Sequence, residues 1–358
     1  MPPRTPRDRR SSSRRDPKRN RDVGTGAEAD RLIAVVGTFP GRRVVVLGDL
    51  VADEFVYGDI ARISREAPVP ILAHRRTVVV PGGGGNAVVN LRALGARPLP
   101  VGVVGRDGAG RRLLEEFRRA GIVRGGIHLA TGYDTPCKSR ILAGGVHTRR
   151  QQIVRVDRGG GRELPRSARA AVRRNLRRAL PRADGLLVAD YGYGAATPDL
   201  LDGLAAVRDL PVLVDSRERV AAYRRATGCT PNQEELERAL GLEPLRDRAA
   251  VEMAGRRLLR RTGNRAVLVT RGARGMCLFE RRRSPVHIPA FGSDEVADVT
   301  GAGDTVIAVF TLALLGGAGF VDACRLANYA AGRVVMKSGT ASVTAQELIA
   351  AVREDLQP

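Results

Sequence analysis

Apolar residues along the chain gather in short runs of strand-forming composition: Val44 to Leu47, Pro100 to Val104, Gly185 to Val188, Pro211 to Val214 and Ala266 to Thr270. Between them lie longer segments rich in Leu, Ala and Arg with helical spacing. Strands alternating with helices predict a parallel sheet covered by helices on both faces, an α/β fold. Two stretches break the alternation. Residues 55 to 80 and 133 to 157 carry strand-like patterns with no long helix between them, which predicts a small antiparallel sheet added to the main domain, placed to serve as a lid. The first 27 residues are almost free of apolar side chains and cannot offset their ordering entropy by burial, so a disordered arm is expected there, followed by one domain from 28 to 358.

Composition changes this picture little. A chain of 358 residues with 43% hydrophobic residues can bury a substantial core. The net charge of +22 raises the question of a polyanionic partner. Residues 1 to 22 hold nine Lys/Arg against three Asp, and the remaining excess is spread as arginine pairs such as Arg111-Arg112 and Arg177-Arg178 on solvated helix faces. Nucleic-acid binding is therefore not expected. Cys137, Cys229, Cys277 and Cys324 are widely separated and show no metal-ligand spacing, which fits a reduced, cytoplasmic protein. No apolar run approaches the ~18 residues needed to cross a bilayer, and Met1 is followed by no apolar leader.

The segment with the most chemistry is Asp298-Val-Thr-Gly-Ala-Gly-Asp-Thr305, followed by an apolar helical run from Val306 to Leu315. Small residues let a ligand approach the backbone. The amides of Gly301, Ala302 and Gly303 at a helix N-terminus would favour an anion whose charge grows during phosphoryl transfer. Asp304, in the first turn, could serve as general base for an attacking hydroxyl. An N-capping Asp after a glycine turn accounts for the same residues.

That string resembles the C-terminal signature of the PfkB, ribokinase-like sugar kinases. Pro81-Gly-Gly-Gly-Gly-Asn86 is similar to their N-terminal signature, and Val101-Gly-Val-Val-Gly-Arg-Asp107 and Thr230-Pro-Asn-Gln-Glu-Glu235 follow in the family's order. The resemblance runs from residue 43 to 345. A narrower one, to heptose 7-phosphate kinases, rests on Gly48-Asp49, Asp53, Tyr57-Gly58, Arg62-Ile-Ser-Arg-Glu-Ala-Pro-Val-Pro70, Gln151-Gln152, Arg155, Asp157 and Thr230-Pro-Asn232.

The resemblance implies a ribokinase-like fold, ATP and Mg2+ as cofactors, K+ in some relatives, and a homodimer formed through the lid. It places Asp53 as sugar-hydroxyl ligand, with Gly82, Gly83 and Asn86 lining the sugar site. A turn aspartate and a plain strand-to-helix turn explain those residues equally. Asn232 and Glu235 would organise Mg2+ through water, or simply start a helix after Pro231. Thr270, Gly272 and Gly275 correspond to the loop over ATP, Asn328 to an adenine-side residue, and Asp298 and Thr300 to a monovalent-cation site. For the distal phosphate of a sugar phosphate the candidates are Lys138, Arg140 and Arg155 on the lid strands, with Arg62 and Arg65 behind them; a solvated lid strand accounts for each as well.

The chain departs from the narrower pattern at two places. Asp190-Tyr-Gly-Tyr-Gly194 carries Tyr193 where heptose kinases have lysine, and Asp215-Ser-Arg217 replaces Asp-Pro-Lys. Arg217 is the candidate to restore the missing charge. The four histidines, His74, His128, His147 and His287, are isolated and form no His-x-Gly-His motif. A kinase alone is expected, with activation of the sugar left to a separate nucleotidyltransferase. The leading expectation is phosphorylation of heptose 7-phosphate at O1. The alternatives are another sugar or sugar phosphate, or a kinase-like protein without turnover that senses sugar or associates with nucleic acid through its arm.

Overall fold

The computed structural model describes residues 17–144, 151–160, 163–201, 210–292, 298–337 and 339–357. In chain order these form α1 (Pro17–Gly37), β1 (Arg43–Gly48), β2 (Leu50–Ile63), β3 (Pro70–Gly83), α2 (Gly84–Ala93), β4 (Arg97–Gly105), α3 (Gly108–Arg119) and β5 (Ile127–Ala130). Next come β6 (Cys137–Gly144), β7 (Gln151–Arg158), α4 (Arg166–Ala179), β8 (Gly185–Asp190), β9 (Val212–Ser216), β10 (Gly228–Cys229), α5 (Gln233–Leu240) and α6 (Arg248–Thr262). The chain continues through β11 (Ala266–Thr270), β12 (Met276–Glu280), β13 (Val286–Ile288), α7 (Ala302–Leu315), α8 (Phe320–Val335) and α9 (Ala345–Leu356). Helix α1 begins at Pro17, inside the stretch expected to be a disordered arm; the first 16 residues of that arm, and His147, lie outside the described residues.

The main sheet has nine strands in the order β13-β12-β11-β10-β9-β8-β1-β4-β5. It is parallel from β5 to β11 and ends in two antiparallel strands, β12 and β13. Burial on both faces explains why its strands read as unbroken apolar runs. Alternate residues serve opposite layers: Val44 and Val46 of β1 join the core beneath α1, α2, α7, α8 and α9, whereas Val45 and Leu47 join the core beneath α4, α5 and α6. Helix α7 is buried on every side from Asp304 to Ala313, so it needs no polar face.

The second sheet runs β3-β2-β6-β7. Its outer pairs are antiparallel, as expected, but the inner pair, β2 and β6, is parallel, in register from Ala52↔Cys137 to Asp59↔Gly144. Both strands leave the main domain side by side in the same direction, and each then folds back as one arm of a hairpin. Chain connectivity, not side-chain pattern, sets that orientation.

Close packing between α6 and the sheet depends on Gly255. A Cβ there would lie 2.3 Å from Cε2 of Phe279, a ring with no room to move in the core. We expect Gly255→Ala to lower stability by about 1–3 kcal/mol through overpacking, read as a fall in denaturation midpoint. At Gly125, where a Cβ meets nothing within 4 Å, the same change should leave stability within about 0.5 kcal/mol of the parent.

Candidate active site

The parallel order changes direction at β1. From there the chain adds β4 and β5 on one side, then returns to build β8, β9, β10 and β11 on the other. In such sheets a crevice opens at the C-terminal ends of the strands flanking the switch. Here those are β1 and β8, and the residues that follow them, Asp49 and Tyr191, meet across it.

Asp49 is buried directly after β1. Its Oδ2 accepts the amides of Tyr191 (2.8 Å) and Tyr193 (3.0 Å), and its Oδ1 those of Ala195 (2.8 Å) and Ala196 (3.4 Å). One carboxylate thus shapes the whole turn after β8. Burial pushes Asp49 up to about 6 despite these donors. Asp190, at the end of β8, is held by Ser216, Tyr223 and Arg219, which ties the same turn to the loop after β9.

Across the crevice Asp304 occupies the first turn of α7. Its Oδ1 accepts the Tyr191 hydroxyl at 2.5 Å and its Oδ2 the Asn86 amide at 2.9 Å. Asn86 is oriented in turn: Asn90 donates to its Oδ1 (3.1 Å), and Thr305 donates to Asn90 Oδ1 (3.0 Å). Burial raises the Asp304 carboxyl to about 7; the two donors and the Lys138 ammonium oppose the rise, while Asp53 adds to it. A carboxylate near 7 is matched to removing a proton at neutral pH.

Gly301 caps α7 at φ 82, a left-handed conformation that favours glycine, and a Cβ on it would come within 2.4 Å of Asn86 Nδ2. Of the three amides expected to face an anion, that of Ala302 is taken by Val299 O (3.3 Å), because the chain makes a turn before the helix. Those of Gly301 and Gly303 have no hydrogen bond among the described residues, and the space beside Gly303 is open.

Asp53 lies on β2, 5% exposed, paired with Arg140 of β6 at 2.7 Å. Gly82 gives this carboxylate its room, since a Cβ would fall 2.3 Å from Asp53 Oδ2. Gly83 turns the chain from β3 into α2 at φ 54. Of the three candidate phosphate ligands, Arg140 is therefore engaged by Asp53, and the exposed Arg155 forms a two-pronged pair with Asp157 on its own strand. Lys138 differs: its ammonium, 5.8 Å from the Tyr191 ring, has no ion-pair partner among the described residues. Burial lowers its pKa, with Asp53 pulling the other way. Arg62 and Arg65 are exposed at the far end of the β2–β3 hairpin.

On the opposite wall Asn232 and Glu235 form a reciprocal capping box at the start of α5, each side chain accepting the other's amide at 2.8 Å. Thr270 is held beside them by its amide on Pro231 O (3.0 Å), and Gly272 and Gly275 both take positive φ in the loop that follows. Asp215, at the end of β9, faces Glu235. Burial raises both carboxyls, Asp215 well above its ordinary value with Glu235 and Asp304 adding to the effect. Tyr193 packs on Gly160, where a Cβ would lie 2.2 Å from its ring. Arg217 is exposed near it, without an ion pair among the described residues. Asp298 accepts the amides of Thr300 (2.8 Å) and Gly339 (3.2 Å), joining two segments beside Gly301. Asn328 donates to Pro289 O (2.9 Å) in a cleft of ≈ 620 Å³ that Phe291, Tyr329 and Arg333 also line.

Residues 201–347 match the family model described as pfkB family carbohydrate kinase. The bifunctional protein HldE of Geobacter metallireducens is 42% identical over 309 residues, which is 85% of this chain and 62% of that protein. The HldE of Paramagnetospirillum magneticum is 39% identical over 334 residues, covering 92% of this chain and 67% of its own length. The chain belongs to the PfkB carbohydrate kinases. As a PfkB kinase it shares its fold with phosphofructokinase-2 from Escherichia coli in complex with potassium (TM-score 0.69, 17% identity, 89% of this chain and 100% of that one). Ribokinase of Arabidopsis thaliana complexed with ribose and ATP has the same fold (TM-score 0.65, 20% identity, 88% of this chain and 99% of that one). The chain spans about 62% of the Geobacter protein's length. The relatives' name describes one polypeptide with two functions, in contrast with the expectation of a separate activating protein. Among the described residues no helix is long and apolar enough to cross a membrane.

Motif reading did not find the roles of Asp49, Asn90, Tyr191 and Asp215. The position of Asp49 and Tyr191 immediately after the two switch strands is the signal that marks them. Replacing Asp49 by Asn leaves one acceptor oxygen where four amides now share two, so Asp49→Asn should cost about 1–3 kcal/mol and speed hydrogen exchange selectively at Tyr191, Tyr193 and Ala195. Unchanged protection there would contradict its role in holding the turn.

Proposed function

We propose that this PfkB kinase transfers the γ-phosphate of ATP to O1 of a heptose 7-phosphate, giving heptose 1,7-bisphosphate, with Asp304 as general base. The observation that carries the reading is the Asp304 carboxyl itself: buried at the head of α7, pushed up to about 7 by that burial, and beside the amides of Gly301 and Gly303, which have no hydrogen bond among the described residues. Asp53 and Asn86 would orient the sugar hydroxyls. Asp304 would take the proton from the attacking oxygen, and the two amides with the helix terminus would stabilise the charge on the transferred group. Lys138 is the best-placed cation for an anionic substrate: unlike Arg140 and Arg155 it has no ion-pair partner among the described residues, and unlike Arg62 and Arg65 it lies beside Tyr191. Arg217 would supply charge on the nucleotide side.

The facing carboxylates of Asp215 and Glu235 suit a hard divalent cation, because burial raises both above their ordinary pKa and their oxygens are the ligands such an ion takes. Bound there with ATP, Mg2+ would neutralise phosphate charge. Thr270, Gly272 and Gly275 would carry the loop over ATP, Asn328 would lie toward the adenine, and a K+ beside Asp298 and Thr300 belongs to the same reading. The sugar is assigned from the Arg62 to Pro70 string and its companions; another sugar phosphate is the alternative.

Purified protein with Mg-ATP should turn over on heptose 7-phosphate in preference to fructose 6-phosphate, ribose and sedoheptulose 7-phosphate. Asp304→Asn should lower kcat about 10²–10⁴-fold, the usual worth of a general base, with little change in KM for ATP. Absence of turnover on every sugar would overturn the assignment.

The lid supports a second proposal, a homodimer. Ile60, Ile63, Val69, Ile153, Val154 and Val156 are exposed large apolar residues, all on the lid sheet or its turn. Apolar side chains exposed in that number on one small sheet call for cover. Light scattering should give a mass of two chains, and Ile153→Glu with Val156→Glu should return it to one.

A further inference from the structure

We propose that Tyr191 is the positioning residue for the base: its hydroxyl fixes one oxygen of the Asp304 carboxylate and favours its charged form. This inference rests on the reading of Asp304 as general base and deepens it. Tyr191 is tied at both ends. Its amide donates to the buried Asp49, and its hydroxyl donates to Asp304 Oδ1 at 2.5 Å, the short distance of an O–H on a carboxylate. The switch strands β1 and β8 thereby set the position of a group on α7.

The bond acts on one oxygen while Asn86 holds the other. With both oxygens restrained, the carboxylate cannot rotate, and the remaining lone pairs point in fixed directions. The charged and titratable groups around this pair are Asp53 on β2, Lys138 on β6, Asp215 on β9 and Glu235 on α5. Three of these four are acidic and favour protonation of Asp304. Lys138, whose own charge is weakened by burial, does not balance them. Donation from Tyr191 is the largest influence opposing burial. The phenol cannot itself surrender its proton, since burial and the Asp304 charge hold its pKa far above the ordinary value. Tyr191 is therefore a fixed donor that touches the base, and it takes no part in proton transfer.

Tyr191→Phe keeps the ring that packs near Lys138 and removes only the donor. A hydrogen bond to a charged group is worth about 1.5–3 kcal/mol, or about one to two pH units. The acidic limb of the kcat profile should move up by that amount, with kcat at pH 7 falling about tenfold and recovering near pH 9. A second readout needs no substrate. Ionising a buried acid whose pKa is raised by folding destabilises the fold, and raising that pKa further extends the loss to higher pH. Relative to wild type, Tyr191→Phe should therefore lose more denaturation midpoint at pH 9.5 than at pH 6, and in an Asp304→Asn background this pH-dependent difference should shrink to the part owed to Asp215, whose carboxyl the same hydroxyl lowers. An equal loss at both pH values, or a difference undiminished by Asp304→Asn, would overturn the proposal. Retained turnover in Asp304→Asn would instead sink the base assignment and leave the stability cycle to decide whether Tyr191 tunes Asp304.

Discussion

A carboxylate removed from water but kept ionisable is the constraint on which this structure turns. Burial of Asp304 would by itself leave a neutral acid, useless as a base, while exposure would leave one too weakly basic near pH 7. The fold places it between these limits. The apolar helix α7 carries it into the interior, the positive N-terminal end of that helix favours its charge, and Tyr191 and Asn86 each give one hydrogen bond to one oxygen. Neighbouring carboxylates at Asp53, Asp215 and Glu235 add negative charge around it, which Mg-ATP and Lys138, without an ion pair among the described residues, are suited to meet.

Topology delivers these groups. β1 sits between β4, which falls between the two lid hairpins in sequence, and β8, which follows both, so the turns after β1 and β8 close on one crevice. Asp49 joins them by accepting four amides from the second turn. The lid strands β2 and β6 start from the same rim, which brings Asp53, Lys138 and Arg140 over the site from two separate parts of the chain. A rigid sheet beneath and a lid above fit a reaction in which positioning and charge stabilisation matter more than covalent chemistry.

Much of this was legible in the sequence. The five apolar runs are strands of the main sheet because burial on both faces leaves no alternation to obscure them. The helix after Gly303 is evident from its length of apolar residues. Two-residue β10 left no pattern, and the parallel pairing of β2 with β6 is a property of connectivity that local pattern does not encode. At the site, residue types in motifs named Asp304, Asn86 and Asp53, but their partners were another matter. Arg140 reads like any lid arginine until Asp53 is seen to hold it. Asn232 and Glu235 satisfy both the capping box and the metal-side reading, since one carboxylate oxygen serves the cap. Tyr191 was hidden beside Tyr193, the residue that departs from the family pattern and so drew notice first.

The pH dependence of wild-type turnover tests the central claim most directly. With saturating Mg-ATP and sugar, kcat should rise with pH through a single ionisation near 7, because the proton must leave Asp304 before it can accept another from the substrate. A rate independent of pH between 5 and 9, with chemistry shown to be limiting, would contradict the account of Asp304 as a buried base poised at neutrality.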